Sequence, residues 1–317
     1  AAKDASGDIE IPAIINGYPV IAIDECAFVG SDITSVTIFE GVESIGLFAF
    51  AYCDKLETVN IPSSVTEIDY GAFSGCSNIE TINISADNNN FVTDEYGVVY
   101  TEGFIELVYA PAKSVGEAYA MRSTATYIYP FAFSDCSDFA LTISDNLSDE
   151  DADEFLLYIS VNEFITNDSC INFKAVDGVL YNKAVTKLYK YPVDNKREFY
   201  ALPSSVTTIA DATAFVCVDT AFYLFVDEDI IIAGVDEIFK TPENLTLHID
   251  YASEFTVDHF TMTLLGPAHV CVGDITKADA DALNENAEEI IAEQEEIWDE
   301  IEPELTPGTD EYDFMKA

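Results

Sequence analysis

Leu56-Glu57-Thr58-Val59-Asn60-Ile61-Pro62-Ser63-Ser64-Val65-Thr66-Glu67-Ile68-Asp69-Tyr70-Gly71-Ala72-Phe73-Ser74-Gly75-Cys76 is the stretch that decides the fold. Val59 and Ile61 alternate with Thr58 and Asn60, the period of a half-buried strand. Pro62 ends that strand, Val65 and Ile68 follow, and Ala72-Phe73 with Cys76 close the unit. The unit recurs on both sides. Ala27-Phe28, Ala49-Phe50 and Ala72-Phe73 are spaced 22 and 23 residues apart, and Ala132-Phe133 and Ala214-Phe215 are further copies. Ile45–Leu56 and Ile68–Ile79 both read I-x-x-x-A-F-x-x-C-x-x-[LI]. Ile128, Phe133, Cys136 and Phe139 repeat the spacing, and Ser31 stands where the first copy would carry Cys. The strands Val36-Thr37-Ile38 and Ile82-Asn83-Ile84 flank the central one.

A longer period overlies this one. Gly97, Tyr100, Leu107, Pro111, Tyr119, Met121 and Ile128 recur 81 residues later as Gly178, Tyr181, Leu188, Pro192, Tyr200, Leu202 and Ile209. The Ala-Phe copies at 132 and 214 differ by 82, which places one inserted residue between Ile209 and Ala214.

A unit of about 23 residues with one short strand cannot bury its own apolar side, so such units stack and share a core. The pattern predicts a solenoid whose coils contribute parallel strands to one sheet. Leu56, Val59, Ile61, Val65, Ile68, Ala72 and Phe73 are expected to point inward. Ala allows close backbone approach, and Phe fills the centre.

These residues resemble the BspA-like leucine-rich-repeat family, whose unit reads roughly L-x-x-I-x-I-P-x-x-V-x-x-I-G-x-x-A-F-x-x-C. Leu56–Cys76 carries the resemblance most fully, with Ser31–Cys53 and Ile128–Cys136 beside it. Asp24 and Asp69 stand where the unit has Gly. The resemblance spans about Ile11 to Phe215, and Asn244–Ile249 reads as one more strand. It implies a leucine-rich-repeat solenoid of the α/β horseshoe class, rich in β, over residues 1–273. It also implies a secreted or surface-attached bacterial protein used for adhesion or ligand binding, without catalysis.

Charge narrows the partners. The chain of 317 residues holds 59 Asp and Glu against 13 Lys and Arg, a formal net charge of −46. Nucleic-acid contact needs clustered Lys and Arg, and anionic lipid repels acids. At 49% hydrophobic, however, the chain is not a disordered acidic one. No run approaches the roughly 20 apolar residues of a membrane span, and Ala1-Ala2-Lys3-Asp4 opens no signal-peptide hydrophobic region. The last 44 residues, 274–317, carry 16 acids and two lysines. Within them Thr276, followed by Asp279, resembles a capping box. Leu283, Ala287, Ile290, Ile291, Ile297, Trp298 and Ile301 then keep helical spacing. The expectation is an amphipathic helix over 277–301, stopped by Pro303. It either caps the solenoid or docks a partner.

Three groups of residues could carry chemistry. Cys53, Cys76 and Cys136 share one repeat position. Strand spacing puts Cys53 and Cys76 within disulfide reach, but a recurring Cys among packing residues reads as a small buried hydrophobe, expected to be reduced. His248, His259 and His269 precede Cys271 without metal-ligand spacing. The acids Asp145, Asp149, Asp151 and Asp153 offer hard oxygens, but no EF-hand pattern. No catalytic residue, metal ligand or cofactor is assigned, and calcium is the only ion the acids suggest. The candidate ligand-binding residues lie on the outward side of the strands, the concave face of a solenoid: Ser35, Thr37, Thr58, Asn60, Thr81, Asn83, Thr246 and His248. Short hydroxyls and amides are suited to glycans or peptide backbone. The expected partner is a protein or a glycan. The competing readings are a spacer module with a docking helix, and an accessory region of an exported hydrolase.

Overall fold

The computed structural model describes residues 4–150, 152–192, 199–203, 205–210 and 214, and beyond these the backbone of strands lying between 222 and 272. It forms two compact units, Ala1–Gly178 and Val179–Ala317.

In the first unit the repeat folds as a coil with two short strands. The first track runs through Ser6–Ile11, Asp32–Ile38, Thr58–Ile61 and Thr81–Ile84, all parallel. The second runs through Ala22–Ile23, Ser44–Ile45 and Glu67–Ile68, also parallel. Both follow from the sequence: T-x-N-x alternation makes the first, and the Val65/Ile68 segment makes the second. The expected core residues are buried, from Leu56 through Phe73. The Phe28, Phe50 and Phe73 rings stack at 5.2 and 5.7 Å between centroids, filling the centre of successive coils. Ala49 and Ala72 are buried beside them. Here the backbones join, Phe28 N–H to Ala49 O at 2.7 Å and Phe50 N–H to Ala72 O at 2.8 Å.

The return path between tracks is turn rather than helix. The residue before each Ala-Phe is left-handed: Cys26, Phe48, Gly71 and Phe131 have φ of 53°, 52°, 63° and 68°. A left-handed residue ends a right-handed helix after one turn. Among the described residues the α-helix is Ala152–Leu156.

The expected solenoid of parallel strands is present, but its strands divide among several sheets rather than one. In the first unit, Phe91–Thr93, Val99–Thr101 and Glu106–Tyr109 insert as an antiparallel meander. Parallel stacking resumes in separate sheets, Glu106–Tyr109 with Tyr127–Ile128, and Ala118–Ala120 with Ala140–Thr142 and Glu163–Ile165. A hairpin within a coil shifts the next strand out of register, so one ladder cannot continue past it.

The second unit repeats this device at the positions the 81-residue period marks. Val179–Asn182 pairs antiparallel with Lys187–Lys190, which pairs parallel with Thr208–Ile209. The irregular pairing Tyr100↔Leu107 in the first unit recurs as Tyr181↔Leu188. The phenols of Tyr100 and Tyr119 meet at 2.6 Å, and those of Tyr181 and Tyr200 at 2.7 Å. Ala110 N–H bonds Ala132 O, and Tyr191 N–H bonds Ala214 O, as one inserted residue requires. Thr246–Ile249 is a strand, but it pairs antiparallel with Ala268–Val272 and does not add a parallel coil. The domain boundary near 273 and the helix over 277–301 lie outside the described residues.

Candidate functional site

Six of the eight candidate residues come together on the outward side of the first track. The register aligns Ser35, Thr58 and Thr81 in one row and Thr37, Asn60 and Asn83 in the next. Alternation sets this arrangement: Val36, Val59 and Ile82 point into the core, and their neighbours point out. Ser35, Thr37, Thr58 and Asn60 are half-buried, and Thr81 and Asn83 are exposed.

The second row bonds along itself. Asn83 Nδ2 donates to Asn60 Oδ1 at 2.9 Å, and Asn60 Nδ2 donates to Thr37 Oγ1 at 3.1 Å. An amide has two donors and two acceptor lone pairs, so each Asn keeps capacity for a ligand while its rotamer is fixed. The ladder is pre-ordered, which lowers the entropy lost on binding.

The rows are not wholly neutral. Ser6–Ile11 adds Asp8 opposite Ser35 and Glu10 opposite Thr37. Asp8 Oδ1 accepts from Ser35 Oγ and Thr34 Oγ1, each at 2.8 Å. The Ser35 hydroxyl, with that of Thr34, holds the Asp8 carboxyl below its usual range. Asp8-Ile9-Glu10-Ile11 has the same alternation as Thr58–Ile61, the signal by which the sequence could have shown this strand. The ladder thus has an acidic first rung.

Thr246 and His248 do not extend these rows. They lie on Thr246–Ile249, in a sheet of the second unit, where the register pairs His248 with His269 and Thr246 with Cys271. The later first-unit strands carry equivalent outward positions. Ala118, Ala140 and Glu163 form one row and Ala120, Thr142 and Ile165 the other, with little amide chemistry.

The cysteine column is structural. Cys53 Sγ donates to Phe28 O at 3.1 Å, Cys76 Sγ to Phe50 O at 3.0 Å and Cys136 Sγ to Ala110 O at 3.3 Å. Each thiol ties its coil to a carbonyl of an earlier one. Ser31, at the Cys position of the first copy, donates to Phe28 O and lies 3.6 Å from Cys53 Sγ. Cys26, Cys53, Cys76, Cys136 and Cys170 are free thiols. Burial pushes the Cys136 thiol well up. Asp145 accepts from Ser169 Oγ and Asn167 Nδ2, a coil-to-coil tie. Among the described residues, no group of three or more His, Cys, Asp or Glu is placed to hold a metal ion. Nor is any helix among them long and apolar enough to cross a membrane.

Residues 9–96 match the family described as BspA type Leucine rich repeat region, in six copies. No curated protein matches the chain. Three solved structures resemble it: pneumococcal vaccine antigen PcpA, a leucine-rich repeat protein from Eubacterium ventriosum ATCC 27560, and a leucine rich cell surface protein from Faecalibacterium prausnitzii A2-165. Identities are 18%, 18% and 20%, TM-scores 0.35, 0.35 and 0.36, and coverage of this chain 72%, 71% and 72%. The chain spans 56%, 62% and 65% of their lengths.

Proposed function

We propose, from the BspA-type leucine-rich repeats that residues 9–96 carry, that this is a non-enzymatic interaction protein, exported or held at a cell surface. Its ligand, a protein or a glycan, lies across the Thr37–Asn60–Asn83 ladder and the parallel Ser35–Thr58–Thr81 row. The observation that supports this reading is the ladder itself: two amides and a hydroxyl fixed by their own hydrogen bonds at 2.9 and 3.1 Å. Most of the surface of so acidic a protein repels polyanions and attracts cations without selectivity. Beyond the acidic first rung of Asp8 and Glu10, the pre-ordered hydroxyl and amide rows are where hydrogen-bond geometry, rather than charge, selects a partner.

The test is a screen of the full chain against immobilised extracellular-matrix proteins and a glycan array, with and without calcium. Saturable binding that survives physiological salt supports the reading. Binding that salt abolishes is charge-driven, and it contradicts the assignment to these hydroxyl and amide rows, as does an absence of binding to either class.

A further inference from the structure

A pocket lies away from the ladder, where the first inserted meander meets the second strand track. This open pocket of about 620 Å³ is lined by the Thr66–Tyr70 segment, the Asn89–Phe91 loop, the hairpin residues Thr101, Glu102 and Glu106, and Tyr129. This volume is in the range of small-ligand sites. Four carboxylates line it, Glu67, Asp69, Glu102 and Glu106. Two tyrosines form one wall, with the Tyr70 and Tyr129 rings edge-to-face at 4.9 Å between centroids and 83° between planes.

No ion pair among the described residues compensates the charges there. The ion pairs Lys55–Asp32, Lys113–Glu80 and Arg122–Glu95 use none of the cavity carboxylates. Tyr129 Oη donates to Glu106 Oε2 at 3.2 Å, which fixes the ring and one acid relative to each other. Burial, and then the Glu106 charge, push the Tyr129 phenol up. The carboxylates are not grouped for metal coordination, and the space is far larger than an ion. Aromatic rings beside diffuse negative charge favour an organic cation, through ring quadrupole and charge together.

We propose that this cavity is a binding site, separate from the ladder, for a guanidinium or ammonium group presented by a basic peptide segment of a protein partner. Arginine fits best, because its planar fork pairs with carboxylates and lies against tyrosine. The meander creates the cavity, so the sequence insertion at 91–110 supplies a site that a regular coil lacks.

The test is calorimetric titration of the full chain with acetyl-Gly-Arg-Arg-Gly-amide at physiological salt. It compares Glu102→Gln/Glu106→Gln, Tyr70→Ala, and the control Glu25→Gln/Asp54→Asn, which removes equal charge at exposed positions elsewhere. Thermal melts check that each variant is folded. The cavity double variant should weaken binding about tenfold or more, the scale of one or two charge-assisted contacts. Tyr70→Ala should weaken it too, and the control should match wild type. Equal loss in the control double variant would assign binding to the general field of the protein and overturn the proposal. No measurable binding to wild type would also overturn it, as would mannohexaose binding that is lost in the cavity variants while the peptide does not bind.

Discussion

The Phe48 ring lies over Gly71 of the next coil, so close that a Cβ on Gly71 would meet Phe48 Cδ1 at 2.7 Å. The same ring meets Phe131 edge-on at 5.1 Å. One glycine therefore does two things, taking a left-handed φ of 63° and making room for an aromatic ring. Gly71→Ala meets both penalties. Left-handed backbone costs about 1–2 kcal/mol in a non-glycine residue, and overpacking adds about 1–3 kcal/mol. Urea unfolding should show a loss of about 2–5 kcal/mol from these two terms. Phe48→Ala with Gly71→Ala should recover part of the packing loss, because the ring that clashes is gone.

The cysteine column gives a second prediction. Phe50 O accepts from Cys53 N–H at 3.3 Å and from the Cys76 thiol at 3.0 Å. Cys76→Val keeps the volume and deletes the thiol donor, so it should cost about 1 kcal/mol, a typical net hydrogen bond. Cys76→Ser keeps a donor, as Ser31 does at the equivalent position, and should unfold closer to wild type than Cys76→Val. Equal midpoints for the two would contradict a donor role. Thiol titration of the denatured protein should find all seven cysteines reduced.

Acid should release a specific tie between coils. The Glu40 carboxylate receives Ser63 N–H at 3.0 Å and Ser64 N–H at 3.1 Å from the next coil, along with the Ser63 hydroxyl. The Ser63 backbone N–H, then its hydroxyl, hold Glu40 below its ordinary value of 4.5. A depressed carboxyl stabilises the fold above its unfolded pKa, and that stabilisation is lost as pH falls through the folded pKa. Glu40→Gln should therefore lower the urea midpoint at neutral pH. The difference from wild type should shrink progressively as pH falls below the ordinary value of 4.5 and through the lowered folded one.

Alkali should act at the inserted hairpin. Tyr119 Oη donates to Asp94 Oδ2 at 2.8 Å and lies 2.6 Å from Tyr100 Oη. Burial pushes the Tyr100 phenol up to about 12. A raised phenol stabilises the fold below its unfolded value near 10, and that contribution is lost as pH rises towards about 12. Unfolding should set in across that window, followed by tyrosinate absorbance at the same pH. Tyr119→Phe should cost about 1.5–3 kcal/mol at neutral pH, the worth of a hydrogen bond to a charged group.

The repeat made most of the first unit legible. Ala49-Phe50 and Ala72-Phe73 pack as their spacing implied, and Tyr100 with Leu107 and Tyr181 with Leu188, four residues of the 81-residue period, pair in equivalent hairpins. The hairpins themselves were not legible, because Gly97–Tyr100 and Leu107 show the period but not the direction of pairing. That direction depends on the turn at Glu102-Gly103-Phe104, where Gly103 and Phe104 have φ of 77° and 56°. Six candidate residues fall in two rows because alternation and a 23-residue period suffice to align them. Thr246 and His248 share the alternation without the period, and their strand pairs antiparallel. The hydrogen bonds joining Asn83, Asn60 and Thr37 depend on rotamers, which a sequence pattern does not specify. The cavity beside Tyr70 and Tyr129 arises where an insertion meets a regular coil, so no single repeat encodes it.

The most direct test of the central claim is the affinity of an Asn60→Lys/Asn83→Lys variant for whichever matrix protein or glycan the wild-type chain binds most tightly. Biolayer interferometry should be paired with circular dichroism to verify the fold. Two lysines break both amide hydrogen bonds and place bulky charge on the strip. The account predicts a loss of at least about tenfold in affinity, or 1.4 kcal/mol, with the spectrum unchanged. Unchanged affinity in a folded variant would contradict it and move the ligand off the Thr37–Asn60–Asn83 ladder.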